Sequence, residues 1–353
     1  MAKNSRLKKN RIFAENILMM KRHSFSVHFL ILSFIFVLCG LSSCDDDVKS
    51  VAVVKKDVVV PIFDAHRAFA DIERQCSFGP RVPESEAHES CSEWLIKTLK
   101  AEADTVFVQD FRTRIYDGRL LDGRNIIASF GGDAKKRIVV AAHWDSRPFA
   151  DNDPDEANWR KAIDGANDGA SGVGIILEIA RIVNKNPLNE KTGLDLVLFD
   201  LEDYGPPASS NEHSDNAWGL GSQYWSAHPH KPGYRAYMGM LLDMVGNANP
   251  RFPKEYYSNQ LAAHICDKVW KTAQRLGYDG VFLDEVGHPI NDDHISMNIV
   301  AGIPTVDIIH LEGNDSESSF HSTWHTLDDN VSNISESTLQ IVGNVVLNVI
   351  YSE

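Results

Sequence analysis

Five short polar segments follow apolar runs or lie in the loops beside them, and their side chains are of types that bind metals or transfer protons. They are His143-Trp144-Asp145, Asp168, Glu202-Asp203, Asp243 and His325. Imidazole and carboxylate groups are zinc ligands, and a catalytic zinc keeps one position open for substrate. Asp145 could hold the ring of His143 in one tautomer, and Glu202 and Asp203 could divide proton transfer and metal binding. The set therefore predicts metal-dependent chemistry.

Each segment also has a structural explanation when it is considered alone. Asp168 lies in a glycine-rich run that leads into a helical pattern, where an Asp can serve as a helix cap. An acidic pair such as Glu202-Asp203 is commonly exposed, and a single His such as His325 is commonly structural. The occurrence of all five segments in order, each beside a strand-like run, favours a functional site.

The elements that must position these residues alternate between extended and helical patterns. Apolar residues recur at helical spacing in 63–76, 87–99, 170–184, 261–276 and 335–351. Strands are predicted over 105–116, 125–130, 137–142, 194–199, 237–243 and 305–309, with Asp117-Gly118 and Asp122-Gly123 as turns between the first two. Alternating helices and wholly apolar strands indicate a sheet buried on both faces, and ligands gather at the strand C-terminal ends of such sheets.

Composition limits the classes of function. A chain of 353 residues with 43% hydrophobic content can bury the core of one enzyme-sized domain. The net charge of −14 argues against nucleic acid as a partner, because phosphate binding needs clustered Lys and Arg side chains.

The N-terminus predicts export and lipid attachment. A basic stretch precedes an apolar run over 27–40, which is shorter than the roughly 20 residues of a membrane span. Leu41-Ser42-Ser43-Cys44 resembles a bacterial lipobox. We therefore expect a lipoprotein signal peptide over 1–44, a tether over 45–60 and a catalytic domain over 61–353, in the periplasm or cell envelope and anchored to the membrane through lipid on Cys44. An uncleaved signal anchor is the alternative. Cys76 and Cys91 could pair in such an oxidising compartment.

From about Phe78 to the C-terminus, the residues resemble the zinc aminopeptidase superfamily, which includes Aeromonas-type aminopeptidases and glutaminyl cyclases. The resemblance implies a single α/β domain with a central twisted, mixed and mostly parallel sheet flanked by helices on both faces. The positions that match the ligands of a two-zinc aminopeptidase are His143, Asp168, Asp203, Asp243 and His325.

Three motifs resemble the bacterial glutaminyl cyclases, such as those of Bacteroidetes. They are Trp324-His325-Thr326 before Asp328-Asp329-Asn330, the Ile-X-Asp-Asp-His-Ile segment from Ile290 to Ile295, and the segment from Ala141 to Ser146. This likeness implies that N-terminal glutamine of peptides and proteins is converted to pyroglutamate with release of ammonia. It implies one zinc on Asp168, Asp203 and His325, with His143 and Asp243 as candidates for a second site. The implied catalytic residues are Glu202, Asp243 and Asp292, and the implied pocket residues are Ile290, Phe320 and Trp324.

Three positions depart from the animal cyclases or leave a role open. Asp203 stands where the animal enzymes have Glu, and Asp307 stands where they have His. An insertion over 206–216 leaves the role of Trp218 open. The alternative functions are a dinuclear zinc aminopeptidase, with Glu202 as general base, and a surface binding protein without catalysis.

Overall fold

The computed structural model describes residues 59–211, 214–313 and 320–353. The predicted signal peptide, the lipid attachment at Cys44 and nearly all of the tether lie outside the described residues. Among the described residues, no helix combines the length and the apolar character needed to cross a membrane. Cys76 and Cys91 are free thiols, so the disulfide that the sequence allowed between them is not present in the structure.

A mixed sheet of six strands forms the centre of the domain, in the order β1-β2-β4-β3-β5-β8. The strands are β1 (Thr105–Arg114), β2 (Leu120–Phe130), β3 (Lys136–His143), β4 (Thr192–Phe199), β5 (Met238–Asp243), β6 (Phe252–Lys254), β7 (Phe282–Val286) and β8 (Thr305–Ile309), with β6 and β7 paired separately. The β1-β2 and β2-β4 pairs are antiparallel, and the other pairs of the main sheet are parallel. The expected mixed, mostly parallel sheet is therefore confirmed.

Helices cover both faces of this sheet. They are α1 (Ala65–Cys76), α2 (Glu86–Lys100), α3 (Ala170–Lys185), α4 (Leu220–Ala227), α5 (Tyr256–Leu261), α6 (Ala263–Arg275), α7 (Asp293–Ile299) and α8 (Glu336–Tyr351). Side chains alternate along β3, so Ile138 and Val140 contribute to the core beneath α1, α3 and α8. Val139 lies on the opposite face of the sheet, where it clusters with Trp225 of α4 and Met297 of α7. The apolar character of the strands is thus explained by burial on both sides.

One local prediction is wrong. Asp122-Gly123 is no turn, because β2 already begins at Leu120 and Gly123 pairs with Phe111 of β1. A Cβ atom at Gly123 would lie 2.4 Å from the Phe111 ring, so the glycine makes room for an aromatic side chain. The helix expected over 261–276 is present as α6, and the short helix α5 precedes it, with the break at the fully buried Ala262, where φ is −133°.

The parallel strands bring the polar segments to one edge of the sheet. His143 is the last residue of β3, and Asp243 is the last residue of β5. Glu202 and Asp203 follow the end of β4, which is aligned with β3 so that Phe199 lies opposite His143. The fold therefore gathers these groups as the strand pattern predicted.

Candidate active site

Two groups of buried ligands share Asp168. Asp168, Asp203 and His325 form one group, His143, Asp168 and Asp243 form the other, and the ligand atoms within each group lie within 4.8 Å of one another. His325 Nε2 is 3.2 Å from Asp203 Oδ1 and 3.7 Å from Asp168 Oδ2. His143 Nε2 is 2.9 Å from Asp168 Oδ1 and 3.4 Å from Asp243 Oδ1. The structure thus brings together all five residues that the sequence proposed as metal ligands.

The chemistry of these donors fits a divalent metal ion. Among the described residues, the buried oxygens Asp203 Oδ2 and Asp243 Oδ1 accept no hydrogen bond. Buried polar atoms are costly when they have no partner, and a cation would satisfy them. Carboxylate oxygens combined with imidazole nitrogens are a donor set that zinc prefers.

Asp168 lies in a loop that is fixed from two sides. The N-cap residue of α3 is Gly169, and no side chain forms a cap hydrogen bond there. Asp168 therefore does not cap the helix. A Cβ atom at Gly169 would lie 2.6 Å from His143 Nε2, and only glycine fits there. The buried Asp329 carboxylate accepts hydrogen bonds from the backbone amides of Asn167 at 2.7 Å and Asp168 at 3.1 Å. Asp329 therefore holds the loop that presents Asp168.

The acidic pair after β4 is held by its backbone. Leu201 has φ of 54°, and this left-handed residue turns the chain toward Glu202 and Asp203. The Asp145 carboxylate accepts from the amides of Glu202 at 3.1 Å and Asp203 at 3.2 Å. The same carboxylate lies 3.5 Å from His143 Nδ1, where it can fix the tautomer of that ring as expected.

His325 is oriented by two residues that sequence reasoning missed. Asp151 Oδ1 lies 3.4 Å from His325 Nδ1, and Arg147 donates to both oxygens of Asp151, at 2.8 and 2.6 Å. Arg147 Nη1 also donates to the Asp203 carbonyl at 3.1 Å. The only sequence signal for Arg147 and Asp151 is their four-residue separation in the loop just after the His143–Asp145 segment.

Burial and charge set the protonation of these groups. Burial raises the pKa of Glu202 well above its usual value, and the neighbouring charges of Asp292 and Asp203 add to that effect. Burial likewise raises the pKa of Asp243 to about 8. Burial alone lowers the pKa of His143, but the adjacent carboxylates of Asp145 and Asp168 raise it well above its usual value. The centre therefore contains at least one carboxyl group, that of Asp243, which holds a proton near neutral pH.

The three predicted pocket residues lie together. Ile290 belongs to a small apolar cluster with Met244, and Phe320 and Trp324 pack against this cluster. The rings of Phe320 and Trp324 have centroids 4.4 Å apart, and the Trp324 ring stacks on His325 at 3.8 Å. An apolar surface therefore begins directly beside one candidate metal ligand.

Trp218 also lies near the centre. Its ring is parallel to that of His325, with centroids 6.3 Å apart, and the Arg147 guanidinium lies over it at 4.7 Å from the centroid. A Cβ atom at Gly205 would lie 2.2 Å from the Trp218 ring, so the insertion folds back tightly at this point.

A cluster of candidate metal ligands at the carboxyl ends of a largely parallel, two-sided sheet is typical of metal-dependent α/β enzymes. Residues 125–350 match the model of peptidase family M28, and the chain belongs to this family.

Solved structures of similar proteins carry two different descriptions. The chain is 49% identical to a glutaminyl cyclase of Bacteroides thetaiotaomicron bound to N-acetylhistamine, with 84% of this chain and 100% of that chain covered and a TM-score of 0.81. It is 48% identical to a protein of the same organism described as a leucine aminopeptidase precursor, with 84% and 99% covered and a TM-score of 0.80.

Curated relatives include the glutaminyl-peptide cyclotransferase of Gloydius blomhoffii, which is 28% identical over 248 residues. That alignment covers 63% of this chain and 63% of the relative. The matched region therefore spans less than two-thirds of the curated relative's length.

Proposed function

We propose that the protein is a zinc-dependent glutaminyl-peptide cyclotransferase, which converts N-terminal glutamine of peptides and proteins to pyroglutamate and releases ammonia. The observation that carries this proposal is the apolar cluster of Ile290, Phe320 and Trp324 beside the ligands, together with the buried Glu202, whose pKa is raised well above its usual value. The similarity to a bacterial glutaminyl cyclase over the full length of that structure supports it.

Asp168, Asp203 and His325 are the residues that hold the zinc in this proposal. When bound there, zinc supplies a Lewis acid for the side-chain carbonyl of the substrate glutamine. Arg147 and Asp151 keep His325 oriented, and Asp329 keeps Asp168 in place.

Glu202 carries the proton in the reaction. It accepts a proton from the α-amine of the substrate as the amine nitrogen bonds to the side-chain amide carbon. It returns that proton to the amide nitrogen as the carbon–nitrogen bond breaks and ammonia leaves. Attack within one molecule uses proximity, so no activated water is required. The raised pKa of Glu202 makes its carboxylate a stronger base than an exposed Glu, which suits a group that accepts the amine proton.

Asp243 and Asp292 support this transfer as buried acids. Burial raises the pKa of both groups, that of Asp243 to about 8, so Asp243 carries a proton at neutral pH. A protonated carboxyl can donate a hydrogen bond to the reacting amide group. The methylene groups of glutamine lie against Ile290 and Phe320, and Trp324 closes over the forming ring.

A dinuclear zinc aminopeptidase is the second candidate, because His143 and Asp243 complete a second group of ligands around the shared Asp168. The proposed cyclase binds one zinc per chain, and the rival binds two. In the proposal His143 and Asp243 support the centre instead of holding a second ion. Metal analysis of the purified protein measures this ratio.

The decisive experiment compares two peptides that differ only in their first residue, Gln or Leu, after incubation with the zinc-loaded protein. Mass spectrometry of a cyclase reaction shows the Gln peptide losing ammonia with every residue kept and the Leu peptide unchanged. Removal of the first residue from either peptide would instead establish an aminopeptidase. No change in either peptide would favour a binding protein without catalysis.

We also propose that the protein is anchored in the cell envelope through lipid on Cys44. The support is the lipobox-like segment after a short apolar run. Metabolic labelling with a radioactive fatty acid should mark the wild-type chain and not Cys44→Ser, and labelling of both would contradict the anchor.

A further inference from the structure

We propose that Glu255 and His294 form a buried carboxylate–histidine pair that positions the acid Asp292 and the pocket residue Ile290. The inference rests on the proposed function, because Asp292 and Ile290 take their roles from it. Nothing in the sequence motifs points to Glu255, which lies 35 residues before Ile290.

Glu255 is fully buried and has more partners than a helix cap needs. Its Oε1 accepts from the amides of Tyr257 at 2.9 Å and Ile290 at 3.0 Å. Its Oε2 accepts from the Ser258 amide at 2.6 Å and lies 3.1 Å from His294 Nε2. The Tyr257 and Ser258 bonds cap α5, whereas the other two partners belong to the segment that carries Ile290 and Asp292.

The charge of Glu255 fixes the orientation of His294. Burial alone raises the pKa of Glu255, but His294 and the backbone amides bring it below its usual value, so the side chain is ionised. An ionised carboxylate attracts a donor, which favours the tautomer with the proton on Nε2 at the 3.1 Å contact between His294 and Glu255. This leaves His294 Nδ1 directed at Asp307, 3.7 Å from its Oδ2.

Asp307 transmits this arrangement to Asp292. Both carboxyl groups are buried, and burial together with the charge of Asp292 raises the pKa of Asp307 well above its usual value. One oxygen of each carboxyl group and one ring nitrogen of His294 lie within 4.8 Å of one another, so the three side chains form one buried cluster. The result is a chain of contacts from Glu255 through His294 and Asp307 to Asp292. A second contact from Glu255 reaches the backbone of Ile290.

The geometry resembles the use of a carboxylate to fix a histidine that serves a reacting group. Here the group that is served is Asp292, to which the proposed function gives a catalytic role. Glu255 and His294 are positioning residues in this scheme, because they act through Asp307 and Asp292. Through this pair, the single buried side chain of Glu255 positions both Asp292 and the pocket residue Ile290.

The experiment measures kcat and KM for a Gln-initiated peptide with zinc-loaded wild type, Glu255→Gln and His294→Gln. We expect kcat to fall by about 10- to 100-fold in each variant, the usual effect of removing a partner that orients a functional ligand. Glu178→Gln is the matched control, since Glu178 is also buried but pairs with Arg181 of the same helix. Its kcat should stay within about twofold of wild type, as expected for an independent site.

A double-mutant cycle separates positioning from a general loss of structure. Glu255→Gln and Asp307→Asn should be non-additive in kcat by at least about threefold, because both act through His294. The same cycle in the His294→Gln background should be additive. Thermal unfolding and zinc content are measured for every variant, and a variant that does not fold is replaced in the cycle by His294→Asn.

The outcomes distinguish failure of the inference from failure of the proposed function. Wild type that does not cyclise the peptide refutes the proposed function. If wild type is active, the inference is overturned by a wild-type kcat in Glu255→Gln. It is also overturned if the effects of Glu255→Gln and Asp307→Asn on kcat are additive. Asp292, His294 and Asp307 also lie close enough to hold a cation. Loss of a metal equivalent in His294→Gln would therefore assign the pair to a metal site and likewise overturn it.

Discussion

Replacement of Asp329 by Asn tests how firmly the proposed zinc site depends on one buried side chain that is not among its proposed ligands. Asp329 accepts hydrogen bonds from the amides of Asn167 and Asp168, and its side chain is 1% exposed. The Asn oxygen can accept only one of these bonds in the same place, because its amide nitrogen is a donor. One bond to a charged acceptor is therefore lost and one buried amide is left without a partner.

The size of the effect follows from this loss. A hydrogen bond to a charged group contributes about 1.5–3 kcal/mol, which corresponds to roughly 10- to 100-fold in an equilibrium constant. We expect Asp329→Asn to weaken zinc binding by that factor, with kcat restored at saturating zinc.

The assay is a titration of zinc against a competing chelator at pH 8. Burial and the charge of Asp168 raise the pKa of Asp329 to about 7, so the carboxylate predominates at that pH. Asp328→Asn is the control, since Asp328 is adjacent but exposed. Zinc affinity of Asp329→Asn within about threefold of wild type, or equal weakening by Asp328→Asn, would refute the reasoning.

Three further outcomes are expected. Glu202→Gln should lower kcat by about 100-fold or more with zinc content unchanged, because the side chain can no longer accept a proton, and retained activity would contradict its role. Trp324→Leu should lower kcat/KM for a Gln peptide by about 10-fold, since the ring stacks on His325 and closes the apolar pocket, and unchanged kcat/KM would remove it from the pocket. Asp195→Asn should destabilise the fold by about 3–5 kcal/mol in urea denaturation, because it leaves the buried Arg137 without its ion pair. Burial raises the pKa of Asp195, but hydrogen bonding to Arg137 brings it below its value in the unfolded chain. The stabilisation of the fold by Asp195 should therefore be present above about pH 4 and lost as the pH falls further. A free energy of unfolding that rises on acidification would contradict this.

The sequence by itself determined the central sheet and the candidate metal ligands. The end of β4 from Leu196 to Phe199 is wholly apolar because both faces of the sheet are covered, and this pattern is visible in the residue order. Since parallel strands end at a common edge, His143 and Asp243 could be assigned to one site before any contact was known.

Only the tertiary structure decided which side chains, distant in the sequence, orient the functional residues. Asp151 contacts His325 across 174 residues of sequence, and Glu255 contacts His294 across 39. No motif in the sequence marks Asp151 or Glu255. Such contacts depend on how the loops cross above the sheet. The spacing of apolar residues and the secondary-structure propensity of a segment carry no information about that crossing. The turn expected at Asp122-Gly123 was wrong for the same reason, because the space required by the Phe111 ring outweighs the local preference of Asp-Gly for turns.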